Sequence, residues 1–280
     1  MRKALYTRPL FSRPVFSRPV FSRRNAVAAL GAAAILCGSL VGAPLTLAAD
    51  KPTADLVVVV GATGRTGRLL VQQLVAKNYR VRALVRDKPK AKEVLPSNVE
   101  LMVGDVRDPV TLAPALAGAK YVISAAGASG AKREPGNGSE DVDHLGTANL
   151  AAAAKAARVS QLVLVSSMGT SNAAANPLEF MRPVLAAKFK GELALRTSGV
   201  PYTIVKPGGL IDDAGGKLAV AFAQSDGGAG RIPRADVATV CVEALGRNSA
   251  LRKSISVVSG AAPAPNNWDR EFKAIKADPR

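Results

Sequence analysis

The stretch that decides the fold is Leu56-Val57-Val58-Val59-Val60-Gly61-Ala62-Thr63-Gly64-Arg65-Thr66-Gly67-Arg68-Leu69-Leu70. Five apolar residues run into Gly61. Two more glycines follow at three-residue steps, and a helical pattern then begins. This is how a buried strand hands over to a helix whose N-terminus is left open for a phosphate. Gly61 permits the tight turn, Gly64 lets a pyrophosphate approach the backbone, and Gly67 lets helix and strand pack closely. The amides of the first helical turn and the helix dipole attract the anion. A glycine triplet alone is weak. Here a strand precedes it, a helix follows, and a second strand begins near Tyr79, which is the context the motif requires. The cofactor-binding set therefore starts with Gly61, Thr63, Gly64, Arg65, Thr66 and Gly67.

The second strand, Tyr79-Arg80-Val81-Arg82-Ala83-Leu84-Val85-Arg86-Asp87, selects the dinucleotide. A free ribose 2′-OH usually meets an acidic residue about 20 residues beyond the first glycine. This chain has Arg82 and Arg86 there. A guanidinium offers planar, charged, bidentate donors to a 2′-phosphate. Arg86 reads as that ligand, and Arg82 reads equally as a ligand or a solvated charge. Arg65 is placed to close over the same phosphate. Asp87 dissents but falls past the strand end. The expected cofactor is NADP(H).

Composition bounds the rest. The chain has 280 residues, 48% hydrophobic and 21% charged, ordinary globular material. Its first acidic residue is Asp50, and residues 1–49 carry seven basic ones: Arg2, Lys3, Arg8, Arg13, Arg18, Arg23 and Arg24. Arginine recurs every five residues from Arg8, each time followed by proline until Arg23-Arg24, and such spacing forbids a regular helix. An uncharged Ala/Gly/Leu-rich stretch then ends in small residues before Asp50. This reads as an export signal cleaved after Ala48 or Ala49, leaving residues 50–280 as one dinucleotide-binding domain. Ser22-Arg23-Arg24-Asn25-Ala26-Val27 resembles a twin-arginine signal, so the expected early partner is an export translocase and the expected location periplasmic. That route carries folded proteins, so a cofactor can be bound before export. Two readings compete: an apolar stretch that stays uncleaved as a membrane anchor, and an acid-poor, Arg/Ser-rich plastid transit peptide.

Without the leader the net charge falls from +17 to +10. The remaining Lys and Arg are scattered, with no run of five. No nucleic-acid motif is present, so a basic enzyme with an anionic cofactor is the better reading than a nucleic-acid binder. Cys37 lies in the leader, which leaves Cys241 without a disulfide partner in an apolar helical stretch, as packing. His144 is the only histidine, and no metal site is expected.

Strands read at about 55–60, 79–85, 98–103, 119–125, 160–166 and 201–206, separated by helical stretches. Near-continuous apolar strands mean a parallel sheet covered on both faces, doubly wound through right-handed crossovers. Strand-like pieces at 217–223 and 254–258 read as a small C-terminal substrate-side lobe. A short last helix holds Trp268 and Phe272. Ligands in such a sheet bind at the carboxyl ends of the strands. Those ends read Gly104-Asp105-Val106, Ala125-Ala126-Gly127, Ser166-Ser167-Met168 and Lys206-Pro207-Gly208-Gly209-Leu210, all small or polar.

These segments, with Asp143, Gly146, Asn149, Leu164 to Ser167, Lys188 with Glu192, Ser198 to Leu210, and Arg234 to Ala238, resemble the atypical short-chain dehydrogenase/reductases with NAD(P)-binding, NmrA-like domains. The resemblance covers about residues 55–275. It implies that Asp105 and Val106 face the adenine and Ala125, Ala126 and Gly127 line the ribose. It also implies that Lys188 reaches the nicotinamide ribose and that Pro207, Gly208, Gly209 and Leu210 pack on the nicotinamide side. Catalytic members carry Tyr-x-x-x-Lys on a helix. Here Val184 precedes Lys188 by four and Ala186 precedes Lys190 by four, and neither does acid–base work. Tyr202-Thr-Ile-Val-Lys206 has the spacing, but it follows Gly199-Val200-Pro201 and is β-branched, so it reads as a strand. Residues four apart rise about 6 Å on a helix and roughly 13 Å on a strand, too far for a proton relay.

The chemistry left is thin. Ser166 or Ser167 is placed to hydrogen-bond a substrate carbonyl, and Lys188 to supply positive charge near a developing oxyanion. Equally, the serines only end a strand and Lys188 only holds the ribose. His144, early in a helix expected at 140–157, reads as a surface or packing residue rather than a general acid. Two classes of function follow: an NADPH-dependent reductase of a small carbonyl or quinone-like molecule, and a non-catalytic NADP(H)-binding sensor or assembly factor. Residues 129–141 and 173–185 would shape the substrate pocket, and neither names the substrate.

Overall fold

The computed structural model describes residues 55–128, 136–224, 226 and 229–279. The chain divides between Leu47 and Ala48, and all that follows concerns the second part. The leader, with its expected signal, lies outside the described residues.

Strand β1 (Leu56–Val60) is buried along its whole length. Its side chains alternate between two cores: Val57 and Val59 face one, Val58 and Val60 the other. An apolar residue is needed at every position because both faces of the strand are covered. Around it lie β2 (Arg80–Val85), β3 (Glu100–Val103), β4 (Tyr121–Ser124), β5 (Gln161–Val165) and β6 (Tyr202–Pro207). All pair in parallel, in the order β3-β2-β1-β4-β5-β6. The strand order reverses between β1 and β4, which is where a doubly wound sheet opens a crevice.

Helices α1 (Arg65–Ala76) and α2 (Lys88–Val94) cover one face of the sheet; α3 (Leu112–Leu116) lies on the other. The helix expected at 140–157 is α4 (Gly146–Ala156) preceded by a π-helical stretch, Glu140–Leu145. Helix α5 (Arg182–Thr197) packs beside α4, while α6 (Arg234–Ala244) lies beside α1. Residues 173–185 hold a 3-10 turn, Glu179–Met181, and the start of α5.

The two late strand-like pieces correct the sequence reading. They are β8 (Leu218–Ala223) and part of β10 (Lys253–Pro263), and both complete the main sheet. Strand β10 pairs in parallel with β6, and β8 closes the edge antiparallel to β10. Ile255 and Val257 of β10 are fully buried, so the main core recruits the strand. A separate two-stranded parallel sheet is formed instead by β7 (Gly209–Ile211) and β9 (Arg231–Pro233). The last helix, α7 (Trp268–Ala274), seats Phe272 in the core, edge-on to Phe222.

Candidate functional site

A cleft of about 250 Å³ opens over the carboxyl ends of β1 to β4. Gly61, Thr63 and Gly64 line it from the loop after β1, Arg86 from the end of β2, and Gly104 to Val106 from the end of β3. Ala125, Ala126 and Gly127 follow β4, and Asn137 and Val142 close the far wall. The three glycines do different work. Gly61 has φ +75°, and a Cβ there would stand 2.7 Å from the Ala126 nitrogen. A Cβ on Gly67 would stand 2.0 Å from the Gly61 oxygen, so α1 touches the loop backbone. A Cβ on Gly64 would meet only the Gly61 oxygen, at 3.2 Å, which leaves its outer side open to a ligand. Helix α1 starts at Gly64 with no side-chain cap and no acid in its first turn. Uncapped amides at a helix start, beside a backbone stripped of side chains, fit a pyrophosphate.

The arginines separate. Arg86 lines the cleft, exposed, and donates to the Asn137 side chain at 3.3 Å. Arg82 is structural. It donates to the carbonyls of Ala115 and Ala117 and pairs with Glu100, because its position on β2 turns it towards α3. Arg65 does not line the cleft; it reaches Asp212 just beyond β7, at 2.8 Å. It spans from the glycine loop to the segment after β7. Asp87 caps α2 by accepting from the Lys90 amide and lies past the strand.

At the end of β3, the Arg107 guanidinium holds the Asp105 carboxyl below its ordinary range, donating to both oxygens. Arg107 also donates to the Gly136 carbonyl. Asn149 donates to the Val106 carbonyl at 3.0 Å, and a Cβ on Gly146 would overlap Val106. The first turn of α4 is thus pressed onto the loop after β3.

On the other side, Lys188 pairs with Asp143 at 2.7 Å. The Asp143 side chain is 1% exposed and also accepts from the Ala128 amide. Lys188, Asp143, Thr147 and Ser166 surround a small polar recess next to Ala126. Ser166 donates at 2.5 Å to Glu192, which is fully buried. Glu192 also receives Thr170 and pairs with Lys206 and Arg196. Lys206 pairs with Asp226 at 2.6 Å, and Asp226 accepts from the amides of Gly169 and Ser171. Ser167 donates to the neighbouring Met168 carbonyl. It faces a second, open cleft of about 420 Å³ formed with Pro207, Gly208, Gly209, Leu210 and Arg234.

The candidates thus fall into three groups. The glycine loop, Arg86, Asp105, Val106 and Ala125 to Gly127 share the first cleft. Ser166 and Lys188 share the recess. Ser167 and Pro207 to Leu210 share the second cleft. Thr66 sits in the first turn of α1. Tyr202 and Lys206 lie on one strand as expected and do not pair with each other; they are linked only through Asp278, Arg196 and Glu192. The Tyr202 hydroxyl donates to Asp278, and burial pushes it up from its ordinary value. His144 pairs with Glu140 at 2.7 Å on the surface, and Glu140 also holds Lys190. Burial pushes the Cys241 thiol up, so it is inert packing. Among the described residues no group of three potential metal ligands is found, and no helix is long and apolar enough to cross a membrane. Much of the 129–141 segment lies outside the described residues.

Sequence reasoning missed Asn137, Arg107, Asp212 and Asp226, and gave Asp143 and Glu192 no task. All but Arg107, whose main partner Asp105 is two residues away, act on residues far along the chain, a relation with no local signature. Asp143 alone carried a signal, being an acid on a helix ahead of a small-residue run.

The profile of the NAD(P)H-binding family matches residues 61–248. The chain belongs to that family, among the atypical short-chain dehydrogenase/reductases with NmrA-like domains. The cofactor class of that family is a nicotinamide dinucleotide. An uncharacterized chloroplastic protein of Arabidopsis thaliana is 36% identical over 255 residues, covering 82% of this chain and 78% of that protein. Sanguinarine reductase of Eschscholzia californica is 32% identical over 271 residues, covering 81% and 97%. The photosystem II assembly factor Ycf39 of Trieres chinensis is 34% identical over 155 residues, covering 55% and 46%. The solved structure of an anaerobilin reductase, ChuY of Escherichia coli O157:H7, matches with a TM-score of 0.64. It is 24% identical, covers 75% of this chain and 100% of that one, and speaks to the fold alone.

Proposed function

We propose that this protein is an NADP(H)-dependent reductase of a small carbonyl or quinone-like compound that works without a Tyr-x-x-x-Lys pair. The observation that carries the reading is Arg86 at the carboxyl end of β2, lining the cleft where an NAD-type site would place an acid. Arg86 and Asn137 hold the 2′-phosphate, and the start of α1 holds the pyrophosphate. Asp105 takes the adenine, and Lys188, fixed by Asp143, holds the nicotinamide ribose. The bound nicotinamide supplies a hydride. The residues around it need only hold the acceptor close and dry.

Ser166 has one hydroxyl proton and gives it to Glu192, so it offers lone pairs to the recess. The positive charge beside a developing oxyanion comes from Lys188. A quinone takes its protons from water, so the missing tyrosine does not forbid turnover. Sanguinarine reductase, similar over 81% of this chain, supports a reductase.

A non-catalytic NADP(H)-binding module is the second reading. It is favoured by the absence of an acid tyrosine: Tyr79, Tyr121 and Tyr202, the tyrosines among the described residues, line neither cleft. The Ycf39 likeness also supports it. Stopped-flow oxidation of protein-bound NADPH on adding quinones and aldehydes separates the two. Acceptor-dependent oxidation supports the reductase, and none across the panel supports the module.

For the leader, the chloroplastic relative favours the plastid alternative over twin-arginine export. Import of a leader–fluorescent protein fusion into isolated chloroplasts, against export of the same fusion in a bacterium, tests it.

A further inference from the structure

The second cleft has a chemistry the cofactor does not use. Two thioethers, Met168 and Met181, stand in its walls with Pro207 and Leu210. Its floor is bare backbone. A Cβ on Gly208 would stand 2.5 Å from the Gly230 oxygen, and one on Gly230 would stand 2.6 Å from Val258, so neither position accepts a side chain. Flat backbone and polarizable sulfur suit a planar conjugated ring. Beside Met181, on the same 3-10 turn, Phe180 is 61% exposed, and Leu178 just ahead of it is 54% exposed. Large apolar side chains left in water next to a cleft-lining residue mark a contact surface.

The one charged side chain among the described residues lining this cleft is Arg234, and no acid lines it. Arg234 is 9% exposed and opens α6. It donates at 2.6 Å to Asp212, itself 61% exposed, whose other oxygen pairs with Arg65. A carboxylate is therefore the partner this guanidinium already accepts, in a basic protein whose field draws anions.

The geometry points to a planar conjugated substrate that carries a carboxylate, its ring between Met168, Met181 and Leu210 and its carboxylate on Arg234. This rests on Pro207 to Leu210 being the nicotinamide edge, so that the ring meets the hydride there. Arg234 is a specificity-determining residue, and Phe180, beside Met181, guides the ring.

Binding of 2-naphthoate and of neutral 2-naphthalenemethanol, followed by calorimetry on the whole protein with and without saturating NADP⁺, tests this apart from turnover. The expected preference for the acid is roughly 10- to 100-fold, the range of a charge-assisted hydrogen bond. Arg234→Gln removes the preference and Arg234→Lys keeps part of it. Phe180→Ser, on an exposed side chain, weakens acid and alcohol alike and leaves the preference in place. Equal binding of acid and alcohol by the wild type overturns the inference, as does a preference that survives in folded Arg234→Gln. An Arg234-dependent preference in a protein that oxidises no NADPH keeps the site and discards the reductase. Quinone-dependent oxidation without the preference does the reverse.

Discussion

At the scale of single residues, the argument turns on charges that differ in what they touch. Arg82 and Arg86 sit four apart in one strand segment. The first is spent on the carbonyls of Ala115 and Ala117, while the second faces the cleft. Arg86→Ala is expected to weaken NADPH binding roughly 10- to 100-fold, the worth of charge-assisted contacts to a phosphate, and to leave NADH binding unchanged. Arg82→Ala should lower stability without altering that ratio, and parallel titrations and melts separate the two. Asp226 makes a pH prediction. Burial alone would push its carboxyl up, but Lys206 and the Ser171 amide donate to it and hold it below its ordinary value. The unfolded chain then binds more protons across that window, so stability rises with pH through it. The contribution is complete above the ordinary Asp value and is lost as pH falls through the folded one. Melting temperatures of wild type and Asp226→Asn should converge as pH drops below about 3.9; a gap that is constant with pH contradicts this.

At the scale of elements, the site is held by close backbone contacts between helices. A Cβ on Gly191 of α5 would stand 2.2 Å from the Asp143 carbonyl, in the π-helical stretch that positions Lys188. Gly191→Ala should cost about 1–3 kcal/mol by overpacking and lower Tm by roughly 2–10 °C for a domain of this size. Cofactor affinity should fall with it, as thermal melts and NADPH titration will show. Six strands and the glycine loop were legible because they rest on local signals, an unbroken apolar run and glycine spacing. The sheet positions of β8 and β10 were not, since β10 pairs with β6 across some fifty residues and β8 joins the sheet only through β10. The same limit hid Asn137 and Asp212, whose partners lie on other elements, where no spacing rule reaches them.

At the scale of the whole molecule, the C-terminal segment locks the sheet. Asp278 accepts from the Tyr202 hydroxyl and from the amide and hydroxyl of Ser254, next to Arg196, which pairs with Glu192 and so joins the network behind Ser166. Asp278→Ala strands buried donors at about 1–3 kcal/mol each and should bring a clear fall in Tm by calorimetry; an unchanged Tm would show the tail to be dispensable. The same molecule joins a cleft built on β1 to β4 to a second, more open cleft beside β7 and β9. The most direct test of this account is a fluorescence titration of the protein with NADPH and with NADH. The account predicts saturable NADPH binding at least tenfold tighter than NADH, on the strength of the Arg86 contact to the 2′-phosphate. Equal affinities, or a preference for NADH, would contradict it.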